Sequence, residues 1–220
     1  MNQPAVSTSA VPRFILASRS PARLATLRAA GIEPEVIISH VDEEAIEAAL
    51  PDASPAQLAQ VLATAKAEAV AAQITEPALV VGCDSVFELD GIPYGKPGTP
   101  KVAKQRWQQM SGRTGTLHTG HCVIDTATGG SAQATASTDV TMGELTPEEM
   151  EDYLAAGEPL EVAGGFTLDG LGGAFVTRID GDPSTVVGIS LPTMRALVSE
   201  LGVTWTALWN RTALVTHEPR

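Results

Sequence analysis

The segment 80–98, VVGCDSVFELDGIPYGKPG, runs from an apolar stretch onto a carboxylate, Asp84, and comes back to a lysine, Lys96. A carboxylate at the end of a buried strand is costly unless it binds a metal or accepts a proton. Asp90-Gly91 between two β-type runs signals a two-residue hairpin. That turn pairs Leu89 with Ile92, Glu88 with Pro93 and Ser85 with Lys96, which brings Lys96 within reach of Asp84. The plainer alternative is a salt bridge on a surface hairpin.

Four further features could carry chemistry. In 18–23, SRSPAR, a short apolar run turns into a helix. The N–H groups at a helix start suit a phosphate, Ser18 and Ser20 add hydroxyls, and Arg23 adds a charged fork; the alternative is a plain capped helix. Lys66 sits among alanines, one position off the apolar face of its helix, and either points into a cleft or is solvated. Asp42, Glu43, Glu44 and Glu47 are an acidic cluster that is either a solvated loop or a magnesium site. The segment 164–188 holds seven glycines among β-type residues, which allows backbone to approach a ligand closely. His118 and His121 lie three apart on an expected strand and so face opposite sides, a poor chelating pair. Neither GxxxxGK[ST] nor GxGxxG is present, so neither a P-loop nor a dinucleotide fingerprint is supported.

The elements that must position these groups can be read from periodicity and caps. Strands are expected at 13–17, 35–39, 78–82, 115–125, 132–143 and 174–180, with the hairpin after 84. Ser20 and Pro21 open a helix that closes at Gly31. The acidic stretch 41–47 reads as a loop. Ser54-Pro55-Ala56-Gln57 is a capping box, and the helix behind it presents Leu58, Val61, Leu62, Ala65, Ala69 and Ala72 on its apolar face. Further helices are expected near 99–110, 146–156 and 192–201. The mixture is α/β with substantial antiparallel sheet, without repeats or a long linker.

Composition bounds the partners. Of 220 residues, 44% are hydrophobic and 18% charged, enough for a substantial core. With 14 Lys and Arg against 26 Asp and Glu the net charge is −12, which argues against a nucleic-acid surface. It does not argue against one phosphorylated small molecule held with a divalent cation. Cys83 and Cys122 build no disulfide framework and read as buried thiols. The first dozen residues have neither the basic nor the apolar character of a signal peptide, and no run approaches the ~20 apolar residues of a membrane span. The expectation is a cytoplasmic protein with no membrane partner: a short disordered arm (1–12), one domain (13–202) and a C-terminal extension (203–220).

Six segments in order, ILASRSPARLATLRAAGI, LATAKAEAV, VVGCDSVFELDGIPYGKP, SGRTGTLHTG, YLAAGEPLEVAGGFTLDGLGGAFV and IDGDPSTVVGISLP, resemble the Maf nucleoside triphosphate pyrophosphatases, relatives of the inosine-triphosphate pyrophosphatases. The resemblance implies a long, twisted mixed sheet flanked by helices, in two lobes around a central cleft. It implies hydrolysis of a nucleoside triphosphate between the α- and β-phosphates, giving the monophosphate and pyrophosphate, with Mg2+ or Mn2+ as cofactor. Residue by residue, Asp84 looks like the catalytic proton acceptor. Ser18, Arg23, Lys66 and Lys96 look like the residues that hold the triphosphate, and Glu43 like the acid near the metal. At three specificity positions this chain has Ala22, Ser85 and Asp169, where relatives that prefer dTTP and UTP have arginine, threonine and glutamine. The oligomeric state is left open, with a homodimer as one option. An alternative function the family carries is that of a non-catalytic nucleotide-binding regulator of cell division.

Overall fold

In a computed structural model residues 12–210 are described. The chain runs β1 (Phe14–Leu16), α1 (Pro21–Ala29), β2 (Glu35–Val36), α2 (Glu43–Ala49), α3 (Pro55–Ala71), β3 (Leu79–Leu89), β4 (Ile92–Tyr94), α4 (Pro100–Met110), β5 (Thr114–Asp125), β6 (Ser131–Met142), α5 (Pro147–Ala155), β7 (Val176–Asp180), α6 (Pro183–Val187) and α7 (Leu191–Glu200). These strands form one seven-stranded mixed sheet of order β2-β1-β3-β5-β6-β7, with β4 hydrogen-bonded to β3. β1 is parallel to β2 and β3; every other pairing is antiparallel. This is the α/β, Maf-like architecture expected. Among the described residues no helix is long and apolar enough to cross a membrane.

Local chemistry explains most element ends. Ser20, Ser54 and Thr146 each accept a hydrogen bond from a backbone N–H of the following helix, with proline in the first turn. Gln57 and Glu149 complete two capping boxes. Gly31, at φ 82°, closes α1. The strand expected at 35–39 is only Glu35–Val36, both exposed on the sheet edge. The acidic stretch is a short helix rather than a loop. The Asp42 side chain accepts from Ala45 N–H, and Glu43 and Glu44 stand in the first turn, where the helix dipole favours negative charge.

Two expectations fail for reasons of packing. Of the apolar face assigned to α3 only Leu62 is buried; Val61 is 40% exposed and Ala72 is exposed, while Ala59, Ala63, Lys66, Ala67 and Val70 are buried beside Leu62. Lys66 therefore lies on the buried face, not beside it. The cause is the sheet below. A Cβ on Gly82 would fall 2.1 Å from Ala63 O, and one on Gly120 would fall 2.3 Å from Ala59 O. Helix and sheet backbones are in direct contact there, so small residues, Ala59, Ala63 and Ala67, must face inward where α3 crosses Gly82 and Gly120.

The hairpin register agrees as far as Leu89–Ile92, Glu88–Pro93 and Phe87–Tyr94, with Asp90 and Gly91 both left-handed at φ 54° and 80°. It stops there, and the Ser85–Lys96 pair does not form. The chain leaves the sheet at Gly95, whose carbonyl accepts from the Arg106 guanidinium of α4, and Gly98 N–H then donates to Leu160 O at 3.0 Å.

Apolar residues gather at the two ends of β3. Leu79, Val81 and Cys83 join Leu16, Leu27 and Met194, and on the other face Val80 packs with Ile15 and Val70. Phe87 and Leu89 instead join Trp107, Met110, Tyr153 and Phe166. Trp107 sits edge-on to Tyr153 and donates its indole N–H to Gly165 O at 2.7 Å. Residues 203–210, expected as part of an extension, pack on the first cluster through Val203, Trp205, Leu208 and Trp209. The rest of that extension, and the expected arm up to residue 11, lie outside the described residues.

Candidate active site

The sheet is forked where the two clusters meet. β1 follows the edge of β3 only as far as Val81, where Ala17 N–H donates to Val81 O at 2.8 Å. β4 takes up the same edge from Phe87. Between them, among the described residues, 82–86 has a strand neighbour only on the β5 side, and Asp84 and Ser85 lie in that gap. Strand alternation sends these two side chains to opposite faces.

On one face Asp84 meets α3. Lys66 Nζ stands 2.5 Å from Asp84 Oδ1 and 2.8 Å from Glu43 Oε1. Lys66 and Asp84 are only 7% and 8% exposed, so both charges depend on each other and on Glu43 rather than on water. Partial burial raises the Glu43 pKa, but the Lys66 ammonium, with Lys96 and Arg23 farther off, outweighs it and holds the carboxyl below its ordinary value. Glu47, one turn along α2, goes the other way: burial first, then the negative charges of Asp84, Glu43 and Glu44, push its pKa up.

On the other face Arg23 is held on three sides. Its Nε donates to Gly188 O at 2.7 Å, one terminal nitrogen donates to Ser18 Oγ at 3.1 Å, and the other to Ser85 Oγ at 3.0 Å. Ser18 also accepts from Ser20 N–H, and Ser20 caps α1, so the helix start and the guanidinium share one turn. Ser85 Oγ lies 2.9 Å from Thr119 Oγ1, which donates to Thr185 O at 2.8 Å. Asp182 caps α6 by accepting from Ser184 and Thr185 and thereby shapes the turn that supplies Thr185 O and Gly188 O.

The sequence-predicted residues thus fall into two sets across β3, Glu43–Lys66–Asp84 and Ser18–Arg23–Ser85. Lys96 is exposed beyond β4 and is not paired with Ser85, yet its charge still bears on Glu43. Ala22 is half-buried beside Arg23. Asp169 is exposed on a turn flanked by Thr167 and by Leu171 and Gly172; the Thr167 hydroxyl and the N–H groups of the latter two all donate to the Glu158 carboxylate. Sequence reasoning missed Thr119, Thr185 and Gly188. Position parity on β5 could have flagged Thr119; nothing local marks the other two.

Donor chemistry bears on a metal. Among the described residues no group of three or more His, Cys, Asp or Glu side chains is placed to hold one. Glu43 and Asp84 give two hard carboxylates, each with one oxygen on Lys66, which fits Mg2+ or Mn2+ that draws its remaining ligands from water and phosphates. The histidines have separate partners. His118 contacts Glu88 at 2.9 Å and Ser137 at 2.8 Å, whereas His121 accepts from Ser190 N–H at 2.8 Å. Cys83 and Cys122 are free and buried, and burial pushes the Cys83 pKa to about 12.

The chain is similar over most of its length to known sequences. The chain is 56% identical over 198 residues to a nucleoside triphosphate pyrophosphatase of Streptomyces avermitilis, covering 90% of this chain and 94% of that one. It is 54% identical over 198 residues to one from Streptomyces coelicolor, with the same coverage. With the protein of that name from Nocardia farcinica it shares 55% over 207 residues, covering 91% and 98% of the two chains. A sequence profile described as Maf-like protein matches residues 13–201, which spans every strand and both sets of site residues, and the chain belongs to the Maf family.

Proposed function

We propose that this protein hydrolyses nucleoside triphosphates to the monophosphate and pyrophosphate, with Asp84 as the base. The observation that carries the reading is the forked strand edge, with Lys66, Glu43 and Asp84 on one side and Arg23 on the other. The names of the relatives above support it. Lys66 fixes Oδ1 of Asp84, so Oδ2 is the atom that takes the proton of the attacking water. As water adds to phosphorus and the bridging P–O bond breaks, negative charge moves onto the pyrophosphate. Arg23, Lys66 and Lys96 are the cations of this chain that meet it. A divalent cation held by Glu43 and Asp84 would neutralise phosphate charge.

Asp169 is the proposed base-reading residue. An ionised aspartate only accepts, which suits N–H-bearing, guanine-type edges better than the carbonyls of uracil or thymine.

The deciding experiment is a panel of GTP, 7-methyl-GTP, CTP, UTP and dTTP with Mg2+ or Mn2+, assayed separately for pyrophosphate and orthophosphate. Expected are pyrophosphate release, its loss with EDTA and its return with either metal. Orthophosphate as the first product, no product, or undiminished hydrolysis after chelation would sink the reading. The same panel on Asp169→Gln should shift preference toward UTP or dTTP, and an unchanged ranking removes Asp169 from base selection.

A further inference from the structure

We propose that Thr119 is a positioning residue which, through Ser85, sets the orientation of the Arg23 guanidinium; this rests on the reading of the site as a triphosphate site. The direction of these hydrogen bonds follows from the number of protons available. Thr119 is 0% exposed, so water does not compete for its hydroxyl. Its single hydroxyl hydrogen goes to Thr185 O at 2.8 Å, since a carbonyl can only accept. In the 2.9 Å contact between Ser85 Oγ and Thr119 Oγ1, Ser85 must therefore be the donor. With its own hydrogen committed, Ser85 Oγ turns lone pairs toward Arg23, whose terminal nitrogen donates at 3.0 Å. The chain of donors has one direction: Arg23 to Ser85 to Thr119 to the Thr185 carbonyl.

That direction matters because Arg23 is anchored to the same turn a second time, through Nε and Gly188 O at 2.7 Å. Gly188 permits the close approach: it stands at φ 116°, and a Cβ there would lie 3.2 Å from Arg23 Nε. Together with the Ser18 bond, three of the five guanidinium N–H groups have partners among the described residues. Two donors remain, one on each terminal nitrogen, and the relay determines where that pair points. A fork of this kind recognises a phosphate only when its plane is held. Ser85 accordingly acts through Arg23, and its hydroxyl is spoken for on both sides.

The test compares Thr119→Val, Thr119→Ser, Ser85→Ala and the Ser85→Ala/Thr119→Val double variant. KM and kcat are measured for one triphosphate, and affinity for a non-hydrolysable triphosphate analogue by calorimetry. Thr119→Val should raise KM and weaken analogue binding about tenfold, the scale of one hydrogen bond to a charged group, with kcat changing less. Thr119→Ser, which keeps the hydroxyl, should recover most of the loss. In the Ser85→Ala background Thr119→Val should add little, because the relay is already cut. Ser85→Ala leaves the buried Thr119–Thr185 bond in place, so it gives the same readout if Thr119→Val does not fold. Wild-type affinity in either folded single variant, or additive losses in the double one, overturns the relay alone. A wild-type protein that neither binds the analogue nor releases pyrophosphate overturns the relay together with the functional reading.

Discussion

Lys66 bridges two carboxylates at 2.5 and 2.8 Å, and the three residues are not interchangeable. Asp84→Asn removes the proposed proton acceptor but leaves an amide oxygen for Lys66, which also keeps Glu43. The fold should survive, and kcat should fall roughly a hundred-fold or more, the range for loss of a general base. Lys66→Met differs, because it strands the buried Asp84 carboxylate without a cation. Its cost should be about 3 kcal/mol in urea unfolding, since an uncompensated buried charge is worse than an absent pair. Near-wild-type turnover in folded Asp84→Asn would contradict the assigned role of Asp84. Equal stability of the two variants would contradict the burial argument.

At the scale of elements, α3 and α7 hold the site from opposite faces of the sheet by different means. α3 is seated by absence of side chains: a Cβ on Gly82 would meet Ala63 O at 2.1 Å and Ala67 N at 2.6 Å, both backbone atoms that cannot swing aside. Gly82→Ala should therefore cost about 3 kcal/mol by forced overpacking. It should also lower activity by lifting Lys66 off Asp84; unfolding curves and turnover in parallel would read both. α7 is tied instead by a hydrogen bond, from Ser190 N–H at its start to His121 Nε2. Burial, the largest cause, holds the His121 pKa down from 6.5 to about 4. The unfolded chain then binds the proton first, so stability is full above about pH 6.5 and is lost as pH falls toward 4. The loss reaches about 3 kcal/mol there. His121→Gln, whose amide oxygen can still accept from Ser190, should show a smaller stability difference between pH 7 and pH 4. If the two proteins have the same pH dependence, His121 is not the group responsible.

At the scale of the molecule, the proposed site draws on both ends of β3. Ser18, Arg23, Glu43 and Lys66 come from elements at the β1 end, while Lys96 comes from the segment after the hairpin, beside the cluster around Trp107. Lys96 is exposed, and its charge bears on Glu43 without forming a hairpin pair. Lys96→Ala should therefore lower kcat/KM about tenfold or more while leaving Tm nearly unchanged, as exposed substitutions do. Kinetics unaltered alongside a small stability change would return Lys96 to the role of a surface cation.

What can be read from the chain alone is what its neighbours in sequence determine. Ser20, Ser54 and Thr146 each satisfy the N–H group three residues on, and Asp90-Gly91 takes a left-handed turn that few other pairs adopt, so these helix starts and the hairpin could be read directly. Asp84 was legible as a charge following an apolar run that must be buried, although β3 does not end there but continues to Leu89. Only the tertiary structure decided which face of α3 goes inward, because contact with Gly82 and Gly120 selects small residues and overrides the hydrophobic count that favoured Leu58 and Val61. It also decided where the hairpin ends, since Gly95 is drawn off by Arg106 from another helix. The surroundings of Arg23 lie farthest from any local rule. Its partners Ser85 and Gly188 are 62 and 165 residues away in sequence, and hydrogen bonds across such separations exist only once the sheet has brought its strands together.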